Sequence, residues 1–180
     1  MAMDRRQFLK LSMASSVALV STSAVVSMTG CSESAPAADS GWLVLREGDR
    51  KLLAALLPVN LKGAFPTEPA AKADAIQNCL QYLDKAVYGL GSANAKQLTD
   101  LFNLLNFAPT RGLLAGVWSS WENASEEEID NFLNRWRNSS LGLLNLGYNG
   151  LNKLMCAVWF GQPQAWAQVG YPGAPAYVKA

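Results

Sequence analysis

The chain is 180 residues long, carries 15 Lys+Arg against 14 Asp+Glu for a formal charge of +1, and contains no histidine. A histidine-free chain can hold no Ser-His-Asp triad, no imidazole general base, no histidine-ligated zinc and no Cys-x-x-Cys-His haem attachment. Its balanced charge gives no basic footprint for nucleic acid, so nucleic-acid partners are not expected.

The first 30 residues read as an export signal. Arg5, Arg6 and Lys10 form a positive start, and residues 11–28 are an apolar run diluted by Ser and Thr hydroxyls. A membrane span needs about 20 predominantly apolar residues, so the run suits a cleaved signal better than a permanent anchor. Arg5-Arg6-Gln7-Phe8-Leu9-Lys10 resembles the twin-arginine export signal, with Asp4 where Ser or Thr is usual. Met28-Thr29-Gly30-Cys31 resembles a bacterial lipoprotein cleavage box, which makes Cys31 the expected lipid attachment point. Ordinary cleavage nearby would instead leave Cys31 a spare thiol. Periplasmic localisation follows, with membrane anchoring if Cys31 is modified.

Residues 31–41 are small and polar, as a tether should be. Residues 42–180 then form the domain, about 140 residues, enough to bury most of the unfolded chain's surface without staples. Apolar spacing is helical almost throughout and no segment alternates with period two. The expectation is an all-α domain of about six helices, with an extended tail from about residue 167.

In chain order, Gly48-Asp49-Arg50 opens a first helix with Leu52, Leu53, Leu56 and Leu57 inward, ending before Pro58. Thr67 caps a second helix with Pro69 in its first turn and a stripe of Ile76, Cys79, Leu80, Leu83 and Val87. Gly89 and Gly91 stop it. Ser92 caps a third, with Leu98, Leu101, Phe102 and Leu105, and residues 110–118 suggest a short apolar helix. Ser125-Glu126-Glu127-Glu128 reads as a capping box opening a helix with Ile129, Phe132, Leu133 and Trp136 at i, i+3, i+4 and i+7. A last long helix over 140–160 buries Leu144, Tyr148, Leu151, Met155 and Val158 or Trp159, and Gly161 and Pro163 end it. Pro172-Gly173 suits a type II turn.

Cys79 and Cys156 lie in apolar helical patterns and read as two core thiols rather than a disulfide. Gly89-Leu90-Gly91-Ser92 lacks the third glycine and preceding strand of a dinucleotide fingerprint, and reads as a turn. No catalytic, cofactor-binding or metal site emerges. Of the six tryptophans, Trp136 belongs to a core face. Trp42, Trp118, Trp121 and Trp166 sit near element ends, where core packing and partner anchoring are both open. Arg135 and Arg137 bracket Trp136 and point off its face, either to solvent or to a partner.

Asp49-Arg50-x-Leu-Leu through Pro58-Val59, Trp118 to Ser125, Phe132-Leu133-x-Arg135-Trp136-Arg137-x-Ser139-Ser140 and the tail Gly161-x-Pro163-x-Ala165-Trp166 to Gly170-Tyr171-Pro172-Gly173-x-Pro175 together resemble the gluconate 2-dehydrogenase subunit 3 family. The resemblance implies a non-catalytic accessory subunit. It would escort an FAD-containing dehydrogenase of the glucose-methanol-choline type through the twin-arginine translocase and remain bound to it, with electrons passing to a cytochrome c subunit or another acceptor. FAD is then expected in the partner and no cofactor in this chain. Partner contacts are expected at Trp118, Trp121, Arg135, Arg137, Trp166, Tyr171, Pro172 and Gly173. A self-sufficient enzyme using carboxylates and tyrosines, and a periplasmic helical lipoprotein enclosing a small apolar ligand, are the competing expectations.

Overall fold

A computed structural model describes residues 41–173. The export-signal residues Arg5, Arg6, Phe8, Leu9 and Lys10 and the attachment point Cys31 lie outside the described residues. Those described fall within the unit Ser32–Ala180.

The expected all-α class is what folds. Seven α-helical segments run in order: α1 Glu47–Asn60, α2 Pro69–Gly89, α3 Ser92–Asn106, a single turn α4 Ala108–Thr110, α5 Glu126–Arg137, α6 Gly142–Phe160 and a short α7 Pro163–Trp166. Between α4 and α5 come a π-helical turn, Arg111–Ala115, and a 3-10 turn, Trp121–Asn123; another, Ala167–Val169, follows α7. No strand occurs among the described residues, and no helix among them is long and apolar enough to cross a membrane.

Helix α1 is the hub. Its Leu52, Leu53, Leu56 and Leu57 are fully buried, and it packs against α2, α3, α5 and α6. The helix does not stop before Pro58 as the sequence suggests; it runs through it to Asn60. Proline deprives the Ala54 carbonyl of its N–H and costs about 3 kcal/mol inside a helix. Continuing past it brings Leu61 into the core, its N–H bonding the Leu57 carbonyl at 3.0 Å. Burial of a leucine contributes about 1.5–3 kcal/mol, which offsets most of the cost of the proline.

A buried carboxylate on α2 fixes the chain leading into α1. Asp84 accepts the backbone N–H groups of Leu43, Val44 and Leu45 at 2.6, 2.9 and 2.8 Å. Asp49, also buried, takes the Arg46 guanidinium at 2.8 and 2.9 Å and the Asn106 amide of α3 at 2.9 Å. Both acids answer orphan donors where three helices meet, and removing either would leave buried polar groups unpaired.

Helix starts depart from expectation in two places. Glu68, not Thr67, caps α2, its carboxylate accepting Ala70 N–H at 3.1 Å and Ala71 N–H at 2.6 Å. An ionised acceptor pairs with two free donors and suits the positive end of the helix, which a hydroxyl cannot match. Gly91, not Ser92, occupies the cap of α3 at φ +79°, a conformation glycine adopts without strain. The Ser125 capping box forms as read, Ser125 Oγ accepting Glu128 N–H at 3.2 Å and Glu128 accepting Ser125 N–H at 2.9 Å.

Candidate functional site

The connection between α3 and α5 is stapled to both helices by aromatic side chains. Two buried tryptophans donate their indole N–H groups into it: Trp121 to the Leu105 carbonyl at 3.1 Å and Trp136 to the Leu114 carbonyl at 2.9 Å. Phe132 sits between them, its ring centroid 5.9 Å from Trp121 and 4.9 Å from Trp136, the second pair edge to face. Trp121 is thus a core residue, and the expectation that it contacts a partner is corrected. Its indole N–H needs an acceptor once desolvated, and the end of α3 supplies one.

The expected helix over 110–118 is replaced by the turn α4 and the π-helical turn, which ends at Gly116 in the left-handed conformation, φ +70°. Side chains of α5 hold the end of this turn: the Leu114 carbonyl accepts the Trp136 indole N–H and the Arg135 guanidinium at 2.8 Å, which satisfies one of the carbonyls a helical end leaves free. Arg111 ties the turn's flanks together, Nε reaching the Val117 carbonyl at 3.3 Å and Nη1 the Asn106 carbonyl at 3.5 Å.

On this clamp rides Trp118. A Cβ at Gly112 would stand 2.5 Å from its Cε3, so the indole lies flat over the glycine. Trp118 nonetheless remains 71% exposed, with Leu113 of the same turn at 73%. The two arginines expected to face a partner are exposed; Arg135 is held by the Leu114 carbonyl rather than free in solvent. Neither Arg135 nor Arg137 has a carboxylate partner among the described residues, unlike Lys51, which pairs with Glu47 and Glu122, and Lys96, which pairs with Asp100. An exposed tryptophan whose backbone neighbours are held by Arg111 at the Val117 carbonyl and approached by Arg135 at Gly116 can supply an anchor with little ordering cost.

The tail forms a second aromatic group. Trp166 is half-buried, donates its indole N–H to the Phe160 carbonyl at 2.9 Å and meets Tyr171 edge to face at 5.3 Å. Tyr171 and Pro172 are exposed, and Gly173 at φ +96° backs onto the Trp166 ring. The tail does not extend from residue 167: a 3-10 turn and left-handed Gly170, φ +69°, come first. Trp42 is half-buried under the Arg50 guanidinium, 4.6 Å from its ring.

Both described cysteines are free thiols, Cys79 buried and Cys156 half-buried. Burial raises the pKa of each above the ordinary thiol value, opposed at Cys79 by the Gln162 amide at 3.2 Å. No group of three or more Cys, Asp or Glu able to hold a metal ion occurs among the described residues.

The structure also shows surface the sequence did not single out. Leu141, Leu143 and Leu146 at the start of α6 are 65%, 78% and 67% exposed. They adjoin α5, because Asn145 donates to the Arg137 carbonyl at 2.6 Å and Gly147 lies against the Trp136 ring. A shallow groove of about 370 Å³ lies elsewhere, floored by Ala54, Ala55, Pro58 and Val59 beside Trp121, with Lys51 and Glu122 at its rim.

Comparison with protein-family models, with curated proteins and with solved structures finds no match to this chain.

Proposed function

We propose that this chain is a non-catalytic small subunit and export escort of an FAD-dependent dehydrogenase of the glucose-methanol-choline type, oxidising a sugar, sugar acid or alcohol. It carries the folded flavoprotein through the twin-arginine translocase and stays bound in the periplasm, held at the membrane if Cys31 is lipidated. A flavoprotein that loads its cofactor in the cytoplasm needs a route for folded cargo, and the Arg5-Arg6 signal supplies one. The observation that carries the binding role is Trp118, 71% exposed on a turn fixed by Arg135 and Trp136. Exposed tryptophan with nearby arginine is the composition of an interface anchor.

The test is affinity purification of the full chain from native membranes with an absorption spectrum of the eluate. A flavin band and a stoichiometric second polypeptide are expected; a colourless single chain overturns the reading. Deleting residues 170–180 should release the flavoprotein while helical circular dichroism persists. A cytochrome c subunit in the eluate would identify the electron acceptor.

The groove over Ala54, Ala55, Pro58 and Val59 favours a second reading, a helical lipoprotein binding a small apolar ligand. Under that reading, organic extraction of the purified chain yields a retained apolar compound, and Ala55→Trp abolishes its retention.

A further inference from the structure

Residues 42–45, ahead of the cap of α1, belong to no helix, so no helical ladder answers their backbone N–H groups. One side chain does so instead. Asp84, 3% exposed on α2, accepts Leu43 N–H on Oδ2 and the Val44 and Leu45 N–H groups on Oδ1, at 2.6, 2.9 and 2.8 Å. Three consecutive donors converging on one anion make a nest, here filled by the chain's own carboxylate. The Arg50 guanidinium adds a bond to the Leu45 carbonyl at 3.0 Å and lies 4.6 Å over the Trp42 ring. Of the four side chains, that of Leu45 alone is fully buried.

Helix α1 does not share this support. Its cap, Arg46, places both its backbone N–H and its guanidinium on Asp49, within the same helix. Two carboxylates thus divide the work on either side of residue 46: Asp49 closes the helix start from within, and Asp84 holds what precedes it from another helix. At the far end, Gly41 at φ +76° with open space around it provides a hinge. Opening residues 42–45 hands their donors to water and takes one leucine from the core, while returning the conformational freedom of four residues; these opposing contributions are of similar size. We infer that residues 42–45 are a strap that opens as one unit while the helices stay packed, with Asp84 as its catch. Open, the strap adds four residues to the link between α1 and the N-terminal residues, up to about 14 Å of reach. The body thereby gains a second distance from whatever holds the N-terminus. Only the identity of that holder, the translocase or a lipidated Cys31, rests on the proposed function.

Residue-resolved amide hydrogen exchange on the purified full chain, under conditions where exchange follows the opening equilibrium, tests the strap without any partner. Leu43, Val44 and Leu45 should be protected, should share one opening constant, and should exchange at least about tenfold faster than Leu57 of α1 and Leu83 of α2. Asp84→Asn keeps the side chain's shape but sets an amide NH2 against one of the two donor positions. It should speed the three amides by about a further tenfold, with Leu57 changed less than about threefold and helical circular dichroism retained. Exchange of the three in step with Leu57 and Leu83 in the unaltered chain would make the strap part of the body, and unrelated rates among them would deny a unit. Unchanged rates in Asp84→Asn would remove the catch, and loss of its helical circular dichroism would show that Asp84 holds the body itself. Each of these results overturns the inference, whereas failure to recover a flavoprotein bears on the proposed function alone.

Discussion

Helices α5 and α6 lie against each other and divide their residues in opposite ways. In α5 the inward row Ile129, Phe132, Leu133 and Trp136 is buried, while Asn131, Asn134, Arg135 and Arg137 are exposed. Its first turn is closed by Ser125 and Glu128 and its last carries two arginines, so the helix dipole is matched at both ends. In α6 the inward residues Leu151, Met155, Val158 and Trp159 are equally buried, but Leu143, Leu146 and Phe160 face out, and Leu141 at its start offers no capping side chain. The fold accounts for every face of α5. It accounts for one side of α6 and leaves Leu143, Leu146 and Phe160 exposed on the other.

The comparison breaks most readily at Trp136. Truncation to Ala removes a fully buried indole that joins Phe132, Gly147 and the Leu114 carbonyl, and should cost about 3–5 kcal/mol in urea unfolding. A loss under about 1 kcal/mol would show that α5 is not the element holding the π-helical turn. Trp159 of α6 is as deeply buried, yet its Nε1 has no hydrogen-bond partner among the described residues. Trp136→Phe should therefore destabilise by about 1 kcal/mol more than Trp159→Phe, since only the first gives up an indole hydrogen bond while the second removes an unpaired buried donor.

Ser125→Ala should lower stability by about 1 kcal/mol through loss of the cap, measurable as a fall in Tm. Leu143→Ser and Leu146→Ser, by contrast, should each change stability by less than about 0.5 kcal/mol while raising solubility; a larger loss would mean that this face is packed within the domain. The smallest effect is electrostatic. Glu68, whose pKa is drawn below the ordinary glutamate value by the Ala71 and Ala70 N–H groups, supports the start of α2 only when ionised. Its contribution is present above the unfolded glutamate pKa and is lost as pH falls through the lowered folded one. Glu68→Gln should flatten that part of the acid titration of helical circular dichroism, and an unaltered titration would remove Glu68 from the account.

Local signals were the legible ones. The α5 start could be read because Ser125 and Glu128 are three residues apart, and its core row because polar pairs separate Ile129, the Phe132-Leu133 pair and Trp136. On α6 the same periodicity found the inward Leu151, Met155, Val158 and Trp159, but nothing in it marked Leu143, Leu146 and Phe160 as exposed. Pro58 was misread as a stop because the benefit of burying Leu61 is tertiary. The Asp84 contacts join residues about 40 positions apart, and the π-helical turn is tied at its Leu114 carbonyl to Arg135 and Trp136, more than 20 residues away. Neither has a sequence signature. Trp118 and Trp121 were indistinguishable in sequence; the acceptor at Leu105, available only in the fold, sends one indole inward.

Covalent footprinting of aliphatic and aromatic side chains tests the turn that carries Trp118 most directly, run on the complex isolated from membranes and on the purified chain alone. The account predicts strong protection of Leu113 and Trp118 in the complex, with Tyr82, exposed on α2, labelled alike in both samples. Equal labelling of Leu113 and Trp118 in both samples would contradict it.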